Sequence, residues 1–296
     1  MPNFKLQYFN QRLSNTLIGT ILLILTYLFF SVMELTAKEL ALRFNPFLIV
    51  FARYLSQLIL LLIIFNKQFK THLKSNHKPL QILRGALLMI TTCFMFTGLA
   101  YLQFAENISI YMIGPVITTI LAILILKEKI SFTQILVVII GLIGALIIAS
   151  PNKGAFNYAV IFPFLAALCF AFFTISTKFL NTSDSNQTTL LFTAITGTIL
   201  SLPFIIYFWK WPNLYDTLLM FCLGFLATAG HFLFIEALKV ISASFAAPFV
   251  YLTVLLAAFW GYILYNEVPS QNTFIGAFLI ITSGFIITRF KKKNLK

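Results

Sequence analysis

The chain has 296 residues, of which 60% are hydrophobic and 10% charged, and its net charge is +13. A soluble domain of this length carries roughly a quarter of its residues charged, so only lipid suits a surface this apolar. The basic residues stand in short connections and in the tail between apolar runs, which argues for a membrane surface and against a folded nucleic-acid-binding face.

A helix needs about 20 apolar residues to cross the hydrocarbon core, because each residue rises about 1.5 Å and every backbone polar group must be satisfied internally. From the N-terminus, runs of that length fall at 13–33, at 45–65 (interrupted by Arg53), and at 85–105, 107–126 and 130–152. Five more follow at 154–177, 185–209, 217–235, 240–266 and 268–288. The first run lacks a small-residue cleavage site and is read as a span, not a removable leader. These runs predict an all-α integral membrane protein of ten transmembrane helices. With the N-terminus inside, sixteen Lys and Arg face the inner side, including Lys67, Lys70, Lys74, Lys78, Arg84, Lys127, Lys129, Lys178 and the tail from Arg289 to Lys296. Four, Lys38, Arg43, Lys153 and Lys210, face the outer side, so both termini are expected in the cytoplasm and the protein in a bacterial inner membrane.

The two halves are alike at an offset near 140 residues. Phe30-Ser31-Val32-Met33-Glu34-Leu35-Thr36-Ala37-Lys38 aligns with Phe170-Ala171-Phe172-Phe173-Thr174-Ile175-Ser176-Thr177-Lys178. Leu126-Lys127-Glu128-Lys129-Ile130-Ser131 aligns with Tyr265-Asn266-Glu267-Val268-Pro269-Ser270 when the glutamates are matched. Residues 1–150 and 151–296 are thus predicted to be two five-helix repeats. An odd number of spans makes the second enter the membrane upside down relative to the first. Such inverted repeats place a solute site between them near the midplane.

Three ionisable groups stand at membrane depth, where a charge is costly and has a partner or a cavity. Glu34 is one turn from Lys38, so it either closes the outer end as an i,i+4 pair or binds a cationic solute group or a proton. Arg53, with Gln57 a turn further on, either pairs with Glu34 or Glu39, snorkels outward, or receives a carboxylate or phosphate. His231 either forms a helix–helix hydrogen bond or titrates during transport. Phe94, Thr97, Tyr111, Thr118, Tyr251, Thr253 and Trp260 stand at mid-span depth, either packing the bundle or lining a cavity whose aromatic faces suit a purine, an indole or a cation. Gly141, Gly144 and Ala145, with Gly276 and Gly284, are read as close-packing positions. Cys93, Cys169 and Cys222 lie in apolar runs without paired spacing, so no disulfide or zinc site is expected.

The chain resembles the drug/metabolite transporter superfamily in its EamA-type ten-helix branch. The resemblance rests on Phe51-Ala52-Arg53-Tyr54, Leu83-Arg84-Gly85-Ala86-Leu87-Leu88, Pro115 thirteen residues before Glu128, Glu236-Ala237-Leu238-Lys239, and Tyr262-Ile263-Leu264-Tyr265-Asn266-Glu267. Within that branch it is most similar to S-adenosylmethionine uptake carriers, through Ile82-Leu83-Arg84-Gly85, Ala247-Pro248 with Tyr251-Leu252, and Tyr265-Asn266-Glu267-Val268-Pro269. That subgroup reads Tyr-Leu-Glu where this chain has Tyr251-Leu252-Thr253, which weighs against a cationic solute. The resemblance implies a secondary transporter moving an amino-acid-like, nucleoside-like or S-adenosylmethionine-like solute. The substrate-binding candidates are then Glu34, Arg53, Gln57, Phe94, Tyr111, His231, Tyr251 and Trp260. The competing reading is a flippase for lipid-linked precursors, or an interaction subunit, on the same fold. Loops this short, with no Gly-rich phosphate loop and no nucleophile–base motif, speak against an enzyme. No cofactor or metal is expected. The expected partners are a small-molecule substrate and the bilayer, with a homodimer left open and no nucleic acid.

Overall fold

The computed structural model describes residues 2–102, 104–149, 158–265 and 271–293, and every regular element among them is helical. In order they are α1 (Pro2–Ala41), α2 (Pro46–Phe65), α3 (Phe69–His72), α4 (Lys78–Tyr101), α5 (Phe104–Tyr111), α6 (Gly114–Leu124) and α7 (Phe132–Ala149). Then come α8 (Ile161–Leu180), α9 (Asn186–Phe208), α10 (Leu214–Val240), α11 (Ala243–Ala246), α12 (Leu252–Tyr265) and α13 (Gln271–Lys293). Among the described residues, seven helical stretches are long and apolar enough to cross a membrane. Three shorter apolar helices, Gly114–Leu124, Phe132–Ile147 and Phe274–Ile286, fall where the fourth, fifth and tenth runs lie. The protein is a multi-pass membrane protein.

Polar residues in the connections start the helices. Asn45 accepts from the Phe47 N–H at 3.0 Å with Pro46 as the first helical residue, Ser185 accepts from Thr188 at 3.2 Å, and Asn213 accepts from Asp216 at 2.8 Å. Each cap satisfies a donor that the helix leaves without an internal acceptor. Several helices outrun the uncharged runs that predicted them. The run 13–33 ends at its first carboxylate, yet α1 continues through Glu34 and Lys38 to Ala41; α4 begins at Lys78, six residues before Arg84. Of these charges, Glu34 lines an internal cavity and Arg84 is fully buried, whereas Lys78 stays exposed at the helix start.

Two spans are broken. The chain turns at 112–113 between α5 and α6, just before Gly114-Pro115, and a 3-10 segment, Ala247–Tyr251, separates α11 from α12 at Pro248. Proline removes a backbone donor and favours such breaks.

Helix pairing has a two-fold pattern. If the fourth span is α5–α6 and the ninth is α11–α12, exchanging the halves maps each main pair onto another. The pair α1–α10 maps onto α8–α4, α2–α10 onto α9–α4, and α6–α8 onto α12–α1, while α2–α9 and α7–α13 map onto themselves. Close approach at α1–α10 needs Gly230, where a methyl group would meet the Phe30 ring at 2.5 Å. On the α7–α13 seam, a methyl at Gly144 would meet the Gly276 carbonyl oxygen at 2.8 Å, as the small-residue reading expects, whereas Gly284 faces open space.

The connections gather at two ends. At one end the Glu128 carboxylate accepts from the Ala243 and Ser244 N–H groups and from the Ser244 hydroxyl, at 3.0, 3.1 and 2.6 Å. Lys178 donates to the carbonyls of Leu238 and Ile241 there, and Asp184 accepts from Ser75, Asn76 and Gln81. At the other end Arg43 pairs with Asp216 at 2.9 Å and Glu39 at 3.1 Å, and Lys210 donates to the Arg43 carbonyl. The connections 150–157 and 266–270, and with them Lys153 and Glu267, lie outside the described residues, as do 294–296 of the basic tail.

Candidate functional site

The broken spans border a cavity of about 80 Å³ between the halves. Ile108 and Tyr111 of α5, Val250 of the 3-10 segment and Thr253 of α12 form one part of its wall; Tyr27, Phe30, Met33 and Glu34 of α1 form another. Arg53 of α2, Thr91, Thr92 and Phe96 of α4, Phe170 of α8 and His231 of α10 complete the polar and aromatic contributions. A cavity beside interrupted helices is the usual site of solute recognition in repeat-built membrane proteins, because the breaks bring backbone and side-chain polarity to membrane depth.

Arg53 dominates the site. It is 1% exposed, and its guanidinium lies over the Tyr54 ring, 4.5 Å from the centroid. Nη1 donates to the Thr92 hydroxyl at 3.3 Å and Nη2 to His231 Nε2 at 2.9 Å. The Thr92 hydroxyl gives its own proton to the Leu88 carbonyl at 2.9 Å, so its lone pairs are free to face Arg53. A guanidinium has no acceptor atom. Nε2 of His231 must therefore be the acceptor, which puts the ring proton on Nδ1 and leaves the imidazole neutral. His231 is held by aromatic neighbours, Phe30 at 4.8 Å and the edge-on Phe173 at 5.7 Å between centroids. The Tyr54 ring is in turn set by Gly197, where a methyl group would come within 2.3 Å of it. Every group that Arg53 touches is neutral, and its Nε has no hydrogen-bond partner. Among the described residues no carboxylate forms a salt bridge with it.

Glu34 faces the same cavity. Among the described residues the i,i+4 salt bridge with Lys38 that the spacing offers is not present, and the acidic groups in salt bridges are Glu39, Asp216 and Glu236. The cavity thus presents one carboxylate and one guanidinium, unpaired with each other, on largely apolar walls.

Of the eight sequence candidates, Glu34, Arg53, Tyr111 and His231 line the cavity. The other four stand outside its lining. Gln57 is fully buried, and neither of its amide atoms has a hydrogen-bond partner. Phe94 packs toward Phe162, Tyr251 donates to the Val138 carbonyl at 3.0 Å, and the Trp260 indole N–H donates to Ser31 at 3.1 Å. Thr118, named for its depth, donates nothing to the wall, whereas Thr253 belongs to it. Sequence reasoning missed Thr92 and Phe30. A signal for Thr92 existed: the offset joining Glu128 to Glu267 also joins Thr92 to His231, the two groups that hold Arg53. Among the described residues no cluster of three His, Cys, Asp or Glu is arranged to hold a metal.

A multi-pass helical membrane protein with two-fold pairing, broken spans and a charged internal cavity defines a class, that of small-molecule transporters built from two repeats. Comparison with known proteins makes the class particular. The EamA-like transporter family model matches residues 17–150 and again 157–289, and the chain belongs to that family. An S-adenosylmethionine uptake transporter of Rickettsia bellii is 30% identical over 286 residues, covering 97% of this chain and 98% of that protein. A riboflavin transporter of Vibrio cholerae is 28% identical over 215 residues, covering 72% of each. A crystal structure with 16% identity superposes with a TM-score of 0.79 over 94% of this chain and 97% of that one, a likeness of fold. The protein is a transporter of small molecules and not an enzyme.

Proposed function

We propose that this transporter carries a small zwitterionic metabolite of the amino-acid or S-adenosylmethionine class across a bacterial inner membrane, by alternating access between two inverted five-helix repeats. Ten spans are assigned, with both termini and the Asp184 end in the cytoplasm, on the lysine and arginine distribution. The observation that carries the reading is the pair of uncompensated charges that line one cavity. The solute's ammonium faces Glu34, which supplies at the cavity the carboxylate that Thr253 does not, its carboxylate takes the Arg53 guanidinium, and aromatic side chains of Tyr111, Phe30 and Phe170 cover the rest of it. The full-length similarity to S-adenosylmethionine uptake transporters supports this class of solute.

The energetics give the mechanism. Ligand pockets for drug-sized molecules span about 300–1,000 Å³, several times the cavity present. The space described is therefore too small for such a solute, and loading requires the repeats to part. In a closed, empty carrier an unpaired carboxylate and guanidinium in the bilayer interior cost several kcal/mol. A zwitterion bound between them supplies both counter-charges. The loaded protein then closes more readily than the empty one, which favours exchange over leak.

The test is uptake into proteoliposomes. Labelled S-adenosylmethionine is expected to enter saturably, with competition from related zwitterions. Arg53→Ala and Glu34→Ala, in protein of normal fold, each lower initial rates about hundredfold or more. Saturable flux at the wild-type rate in both variants contradicts the assignment. The flippase reading is favoured instead if only lipid-linked substrates compete.

A further inference from the structure

Arg84 repeats the design of the Arg53 site closer to the Asp184 end. It lies in α4, six residues in from Lys78, and is 0% exposed. Its guanidinium rests over the Phe173 ring at 4.3 Å, as that of Arg53 rests over Tyr54 at 4.5 Å. Its Nε donates to the Thr177 hydroxyl at 2.7 Å and its Nη1 to the Thr193 hydroxyl at 2.5 Å. Both threonines send their own protons to carbonyls one turn back, Phe173 and Thr189, at 2.7 Å each. Thr92 does the same under Arg53. Nη2 of Arg84 has no partner, and among the described residues no carboxylate forms a salt bridge with it.

A structural arginine in a membrane interior usually finds a carboxylate or backbone carbonyls, because neutral hydroxyls leave its charge uncompensated. Both buried guanidiniums rest on an aromatic ring, donate to back-bonded threonine hydroxyls and keep one nitrogen without a partner, Nε in Arg53 and Nη2 in Arg84, so each has a donor left for an anionic acceptor. They are also linked. Phe173, the floor of Arg84, stands edge-on to His231, which accepts from Arg53.

We propose that Arg84 is a second oxyanion station, which takes the carboxylate of the solute after it leaves Arg53 on the cytoplasmic side of the route. The inference rests on the functional reading above. Phe173 is the partition between the stations: its ring shields Arg84 in the conformation described, and its displacement as the cytoplasmic half opens exposes the spare N–H to the solute. The Thr177 and Thr193 tethers keep the fork oriented meanwhile, so little ordering entropy is lost when the carboxylate arrives.

The experiment pairs a truncated residue with a truncated solute. Wild type, Arg84→Gln and Arg84→Lys are reconstituted in one orientation, and half-saturation is measured from each face for S-adenosylmethionine and for its decarboxylated analogue. Arg84→Gln is expected to raise half-saturation from the cytoplasmic face about tenfold or more for the carboxylated solute. The decarboxylated solute and the opposite face should change less than about twofold, within the scatter of independent effects. An equal rise for both solutes, an equal rise from both faces, or no rise at all overturns the proposal, since a purely structural arginine gives one of those results. Should Arg84→Gln fail to fold, Arg84→Lys keeps the charge but loses the fork, and it must show a smaller, still carboxylate-selective rise or the proposal falls. Wild-type protein that moves neither solute overturns the functional reading and this one with it, a result distinct from wild-type flux with an unselective Arg84→Gln.

Discussion

The central cavity and the Asp184 end hold charges in opposite ways. At the Asp184 end the Asp184 carboxylate accepts from Ser75, Asn76 and Gln81, and the Glu128 carboxylate accepts three donors from Ala243 and Ser244. Burial alone would raise the pKa of Asp184, but the hydrogen bonds from Ser75, Gln81 and Asn76, with His77 nearby, bring it below the usual carboxylate range. In the cavity, among the described residues, Glu34 has no salt bridge and Arg53 bonds only neutral groups. A fully satisfied carboxylate ties two segments together. An unsatisfied one is a receptor, because its best partner has still to arrive. Charge location by itself separates neither case from the other; the accounting of lone pairs and donors does.

This contrast can be broken at either region. The largest effect is expected at Gly197→Ala, where the new methyl meets the Tyr54 ring at 2.3 Å. Overpacking of this kind costs about 1–3 kcal/mol. Because Tyr54 floors the Arg53 guanidinium, solute-induced thermal stabilisation should fall with it, and normal stabilisation in this variant would unlink Tyr54 from the site. Next comes Glu128→Gln. Losing the ionised cap on Ala243 and Ser244 should lower stability by about 1 kcal/mol in thermal unfolding. It should leave solute affinity in the cavity unchanged while raising labelling of a cysteine placed in the 127–131 connection. Unchanged labelling would show that the tie does not restrict access at that end. The smallest effect is in acid. The folded-state pKa of Asp184 is depressed, so its contribution to stability is present above the unfolded value near 4 and is lost as pH falls through the folded value. Asp184→Asn should lower stability slightly at pH 7 to 8 and flatten that part of the acid unfolding curve, the two proteins converging in strong acid; an unaltered acid limb would remove the linkage.

Much of the fold was legible because hydrophobic length and charge spacing report directly on the bilayer. The helices and the repeat follow from those signals, as does the presence of Glu34, Arg53 and His231 at membrane depth, although the direction in which each side chain turns was left open. Helix ends were less legible. A run defined by its first charge stops at Glu34 or starts after Arg84, although α1 and α4 carry both groups inside the helix. The cavity wall was legible only in part. Depth along a span does not fix rotation about its axis, so Tyr111 and Tyr251 look equivalent in sequence. One faces the cavity and the other turns to the Val138 carbonyl. Trp260 and Phe94 differ from cavity aromatics in the same way. Thr92 was overlooked because a threonine in an apolar helix is unremarkable until its partner across the bundle is known.

The central claim is that Glu34 and Arg53 receive opposite charges of one solute. Its most direct test is equilibrium binding of S-adenosylmethionine, its decarboxylated analogue and its deaminated analogue to wild type, Glu34→Gln and Arg53→Gln. The account predicts that Arg53→Gln weakens every solute except the decarboxylated one, and that Glu34→Gln weakens every solute except the deaminated one. Equal weakening of all three solutes by either substitution would contradict it.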